Sequence, residues 1–123
     1  MTPPPRRRLW AWGPVVLWCG LLFAASCIPA GKMPQSPVLA HDKLIHGGVY
    51  LVLGALVMRA LRRYFLAVAL VAAYGLTDEL HQLFTPGRDC DVWDWAVDVA
   101  GAAVGAAIVL ALLRVLGRKR GAR

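Results

Sequence analysis

Four stretches of this chain carry no charged side chain, with histidine counted as neutral, and they constrain its solvent more than any other feature. Leu9 to Gly31 is 23 residues, enough to cross a hydrocarbon core about 30 Å thick as a helix. Leu44 to Met58, Tyr64 to Thr77 and Val99 to Leu113 follow, at 15, 14 and 15 residues. As helices these reach only roughly 21–23 Å, so each must draw flanking polar residues into the membrane to complete a span. The composition agrees: 59% of the 123 residues are apolar, against about 45–50% in soluble domains. A soluble chain this short has too much surface for its volume to hide that fraction. Several domains, disorder and a disulfide-dense secreted scaffold are excluded on the same grounds.

The charges sort by side. Arg6, Arg7 and Arg8 precede the first run, Arg59, Arg62 and Arg63 link the second to the third, and Arg114, Arg118, Lys119, Arg120 and Arg123 follow the fourth. With alternating spans, eleven of the fourteen Lys/Arg fall on one side, and only Lys32, Lys43 and Arg88 on the other. All seven acids fall on that second side. Basic loops stay in the cytoplasm. The expectation is therefore an all-α integral membrane bundle of four transmembrane helices, N-in/C-in. It forms a single domain over 1–123, with spans at about 9–28, 43–61, 64–83 and 95–114. The net charge of +7 is a topology signal, so no nucleic-acid partner is expected; the partner is the lipid bilayer. The first run also has the basic start of a signal peptide, and Ala24-Ala25-Ser26-Cys27 resembles a lipoprotein cleavage box. Its length and its Trp10, Trp12 and Trp18 favour an uncleaved anchor.

Extending the short spans outward to about 20 residues carries polar side chains to the outer membrane boundary or inside it. Asp42, His46 and Tyr50 recur every four residues on one helical face, as do Tyr74, Asp78 and Gln82, with Glu79 beside Asp78. Asp91, Asp94, Asp98, Gly101 and Gly105 make one continuous stripe. Gly101 and Gly105 form a small-xxx-small pair that lets another helix approach closely, within the bundle or in an oligomer. Ionisable groups at that depth are costly and mark a site by default. The expected ligand-binding set is Asp42, His46, Asp78, Glu79, Gln82, Arg88, Asp94 and Asp98, arranged as a shallow extracytoplasmic pocket. Blander roles compete. Asp42, Asp91 and Asp94 could cap helices, His81 and the Trp93/Trp95 pair suit the interface, and Tyr50 and Tyr74 suit packing. The first outer loop carries Pro29, Pro34 and Pro37, and Pro86-Gly87 signals a turn in the second.

These residues also fall into three blocks. Asp42-Lys43-x-x-His46-x-x-x-Tyr50-x-x-Leu53-Gly54, Asp78-Glu79-x-x-Gln82-x-Phe84-x-Pro86-x-Arg88, and Asp94-x-x-x-Asp98-x-x-Gly101-x-x-x-Gly105 appear in that order. Together they resemble the pattern of VanZ-like membrane proteins, over about half the chain. The departure is Asp98, where that pattern usually has Asn. The family is named for a protein conferring low-level resistance to the glycopeptide teicoplanin. The resemblance implies a small bacterial integral membrane protein with an outward-facing polar site, and no established reaction.

Two functions compete. In one, the site binds an envelope lipid, a lipid-linked precursor or a glycopeptide-type ligand, with Arg88 and Lys43 on anionic groups and the acids and Gln82 on amines or hydroxyls. In the other, an outer-leaflet enzyme uses Asp78, Glu79 and His46 as general acid and base or as ligands of a divalent metal, with Arg88 stabilising negative charge. A metal would relieve the acidic crowding. Ser26 and Ser36, the only serines, lack the helical neighbours of an activated nucleophile. Cys27 and Cys90 both fall on the oxidising side, which leaves a disulfide open.

Overall fold

In a computed structural model, residues 4–29, 31 and 42–122 are described, the side chains of Asp42 and Lys43 excepted. The proline-rich first loop therefore lies outside the described residues, apart from its ends. Among the described residues there are four helices and no strand: α1 (Pro5–Ser26), α2 (Asp42–Leu61), α3 (Tyr64–Gln82) and α4 (Val92–Gly121). Three of them, Pro5–Ser26, Leu44–Leu61 and Val92–Gly121, are long and apolar enough to cross a membrane. The exception, α3, has the length at 19 residues, but its last turns carry Asp78, Glu79 and His81. At 30 residues, α4 runs roughly 45 Å, well beyond the expected 95–114, because nothing in its basic tail breaks the helix.

The connections are legible in local chemistry. Arg62 takes a left-handed φ of 59° while its N–H donates to the Met58 carbonyl at 2.8 Å, which stops α2. Only Arg62 and Arg63 then separate α2 from α3, so the two helices run antiparallel. At the other end, the Arg88 N–H donates to Thr85 O at 3.1 Å and Gly87 has φ 73°. Proline followed by a positive-φ glycine is the pattern of a type II turn, as Pro86-Gly87 announces.

The core is centred on α2, which packs on all three other helices and most extensively on α4. Tyr50, Leu53, Val57 and Met58 of α2 are buried with Ala67 and Val71 of α3, Ala102 and Ala106 of α4, and Val15 of α1. Small residues make the α2–α4 approach close. A Cβ at Gly101 would fall on the Gly47 carbonyl, one at Gly105 on the Leu51 carbonyl, and one at Gly54 on the Ala102 carbonyl. The glycine stripe of α4 is thus covered by α2 within the chain. Large apolar side chains remain exposed on every helix, among them Leu17, Leu21, Leu44, Phe65, Leu70 and Leu112, as expected of a chain solvated by lipid.

Side-chain donors tie neighbouring helices together through backbone carbonyls. Trp18 Nε1 donates to Val49 O at 2.9 Å, Tyr74 Oη to Cys19 O at 2.7 Å, Tyr64 Oη to Ala103 O at 3.2 Å and Trp95 Nε1 to Ala72 O at 2.9 Å. Trp95 therefore joins α4 to α3, whereas Trp93 is exposed. A fifth contact explains Pro14. Proline has no N–H, so Pro14 cannot bond the carbonyl four residues back; Arg59 Nη2 donates to that Trp10 oxygen instead, at 2.8 Å.

Candidate functional site

The helices set two distinct ends. Arginines of α1, α2 and their surroundings gather at one, where Arg7, Arg8, Trp12, Arg59 and Arg62 line a cavity of about 590 Å³. The acids gather at the other, where α1 ends, α2 begins, α3 ends and α4 begins.

At the acidic end Asp98 occupies the middle. Its Oδ1 lies 3.1 Å from His46 Nδ1 on α2. On its other flank is α3, where a Cβ on Gly75 would stand 3.6 Å from Asp98 Oδ2. Glu79 lies one turn beyond Gly75 on that same face of α3. Its Oε2 accepts the Asp91 N–H at 3.1 Å, fixing the carboxylate to the start of α4. Asp91 itself is the N-cap, its Oδ1 accepting the Trp93 N–H at 2.8 Å. One ligand atom from each of His46, Glu79 and Asp98 lies within 4.8 Å of the other two.

Asp78 points elsewhere. Its Oδ2 accepts the Tyr50 hydroxyl at 3.2 Å, inside the bundle, so Tyr50 has a polar partner as well as a packing role. Of the candidate residues, His46, Glu79 and Asp98 come together, while one oxygen of Asp78 is taken by Tyr50. The expected shallow pocket is also a buried cluster. Glu79 and Asp98 are each 1% exposed, Gln82 is 5% and Asp78 is 8%, while Asp94 is half-buried. Arg88 is half-buried in the α3–α4 turn. The Asp42 side chain lies outside the described residues.

The electrostatics of the cluster are incomplete. Asp78 Oδ1, Glu79 Oε1 and Asp98 Oδ2 are buried with no hydrogen-bond partner among the described residues, as is Arg88 Nε. Burying an unsatisfied polar atom costs about 1–3 kcal/mol in proteins, and more when it carries charge. Three such carboxylate oxygens at one end of a small bundle is a cost that folding alone does not require.

A family model described as VanZ/LLP1 matches residues 11–114. The chain belongs to the VanZ/LLP1 family. The match takes in the Asp42-to-Gly105 stretch that carries the three blocks and extends through most of α1 and most of α4. Comparison with curated proteins and with solved structures gave no match. As a VanZ/LLP1 chain with three membrane-length helices, it is a membrane protein.

Other residues of this VanZ/LLP1 chain take places the sequence did not announce. His81 lies apart from the cluster, stacking on Phe23 with ring centroids 4.8 Å apart and placing Nε2 3.3 Å from Cys27 Sγ. Thr85 Oγ1 donates to Ser26 O at 3.2 Å, closing the end of α1 against the α3–α4 turn. Cys19, Cys27 and Cys90 are free thiols, so no Cys27–Cys90 bridge is present. Arg59, counted only as a topology charge, is also the partner of the Trp10 carbonyl. A proline four residues after Trp10 was the signal for it.

Proposed function

We propose that this VanZ/LLP1 protein spans the bacterial cytoplasmic membrane four times, with both termini and the Arg59–Arg63 link in the cytoplasm. Its acidic end recognises the head group of an envelope lipid or lipid-linked precursor from the outer leaflet. The observation that carries the reading is the set of unsatisfied buried groups: Glu79 Oε1, Asp98 Oδ2 and Asp78 Oδ1, with Arg88 Nε in the adjoining turn. Head groups of this class pair a phosphate with amines or hydroxyls. Arg88 suits the phosphate, and the carboxylates and Gln82 suit donors. A membrane-exposed α3 is supported by its exposed Phe65, Leu66, Leu70, Leu76 and Leu80. A glycopeptide antibiotic also presents amines and hydroxyls, and tolerance to teicoplanin would follow from the same site.

A second reading, an outer-leaflet enzyme, is favoured by one observation. The His46–Asp98 contact at 3.1 Å orients an imidazole as acid–base catalysis requires, with Glu79 rather than Asp78 as the nearby carboxylate.

Two measurements test the proposal. A membrane-impermeant maleimide applied to intact cells should label Cys90, and should label Arg62→Cys in a Cys27→Ser/Cys90→Ser background only after permeabilisation; the opposite pattern overturns the orientation. A photoreactive phospholipid carried in the outer leaflet should crosslink to peptides around His46, Glu79 and Asp98. Crosslinks spread evenly over the lipid-facing surfaces would remove the head-group site.

A further inference from the structure

We infer that His46, Glu79 and Asp98 bind one divalent first-row transition-metal ion. The inference rests on the head-group reading and deepens it, since the ion would give the site its grip on an anionic ligand. Three observations converge. The donor atoms come from three different helices yet lie within 4.8 Å of one another. Two of the side chains, Glu79 and Asp98, are 1% exposed and each has a buried oxygen with no hydrogen-bond partner among the described residues. Around one ion, at bonds of about 2.0–2.2 Å, donor atoms stand roughly 3–3.5 Å apart. His46 Nδ1 and Asp98 Oδ1 already do so at 3.1 Å, and the wider spacing closes with side-chain movements of about 1–2 Å.

The charge fits as well. Two carboxylates balance a divalent cation, and a neutral imidazole supplies the third donor. One nitrogen and two carboxylates select Zn²⁺ or Mn²⁺ over Mg²⁺, which prefers an all-oxygen shell rich in water. Three protein ligands leave coordination positions open for a phosphate or hydroxyl oxygen. Glu79 is held for this role from behind, since its other oxygen is taken by the Asp91 N–H. Asp98 is the residue that departs from the family pattern, so the site depends on this chain's own aspartate.

The test uses the full chain, purified in detergent without a histidine tag. After chelator stripping, Zn²⁺, Mn²⁺ and Mg²⁺ are titrated by equilibrium dialysis with elemental analysis. The expected result is one Zn²⁺ per chain, with Mn²⁺ weaker and Mg²⁺ weakest. Asp98→Asn restores the residue of the family pattern and retains a partner for His46, so it should fold. It should lose more than the roughly 10–100-fold in affinity typical of removing an outer-shell partner, and Glu79→Gln should do the same. Asp89→Asn, which alters an exposed carboxylate of the α3–α4 turn, should leave the affinity unchanged. No stoichiometric metal on the wild-type chain, or equal retention by Asp98→Asn, overturns the site. Either result alongside intact lipid crosslinking at the acidic end removes the metal and leaves the head-group reading standing.

Discussion

Asp98 meets two helices at once, its Oδ1 against His46 of α2 and its Oδ2, without a hydrogen bond, toward Gly75 of α3. If the carboxylate served folding, removing its charge would destabilise the bundle. If it serves a ligand, its charge is a liability in the empty protein, because a buried uncompensated ion costs several kcal/mol. Asparagine keeps an oxygen for His46 and discards the charge. In metal-free detergent, Asp98→Asn should therefore unfold at the wild-type temperature or a few degrees higher, where a few degrees corresponds to about 1 kcal/mol for a domain of this size. A thermal scan showing a clear fall would assign Asp98 a structural role. Sites that bind strongly often keep such locally unfavourable groups.

Between elements, packing depends on small residues and on carbonyls that need donors. Gly54 and Gly48 lie on the same helix in opposite circumstances. A Cβ at Gly54 meets the Ala102 backbone, whereas Gly48 has nothing within 4 Å. Gly54→Ala should cost about 1–3 kcal/mol through backbone displacement, and Gly48→Ala should be neutral or stabilising by about 0.5–1 kcal/mol; paired melting curves give both. Arg59 and Pro14 provide a sharper case. Arg59→Met strands the Trp10 carbonyl, but Pro14→Ala returns an N–H four residues on, so the double variant should recover about 1 kcal/mol of the loss. Additive losses in that cycle would disconnect the two residues. The sequence made part of this legible. The charge-free runs located all four helices, and the 3-4-3-4 stripe brought Asp98 inward beside Gly101 and Gly105. Which neighbour each polar face meets was hidden, because periodicity gives the face of a helix and not the rotation of its partner. That is why the periodicity did not show that Asp98 stands beside His46, or that Trp95 bonds a carbonyl of α3.

At the scale of the whole molecule, the chain is a bundle polarised along its axis. Arginines close one end, where they anchor the link and support α1. Buried acids and a histidine crowd the other, where three helices and a turn converge. Sequence alone separates these ends, because charge asymmetry survives any error in helix rotation. How completely Asp98 and Glu79 are buried was not legible, since it depends on α2 and α4 packing backbone to backbone at Gly47, Gly54, Gly101 and Gly105. A head group held at the acidic end should survive extraction with the protein. Native mass spectrometry of the chain released from native membranes addresses it most directly. The wild-type protein should retain a phosphate-bearing lipid that the Glu79→Gln/Asp98→Asn double variant lacks, with both remaining folded. Equal lipid retention by the two proteins would contradict the claim.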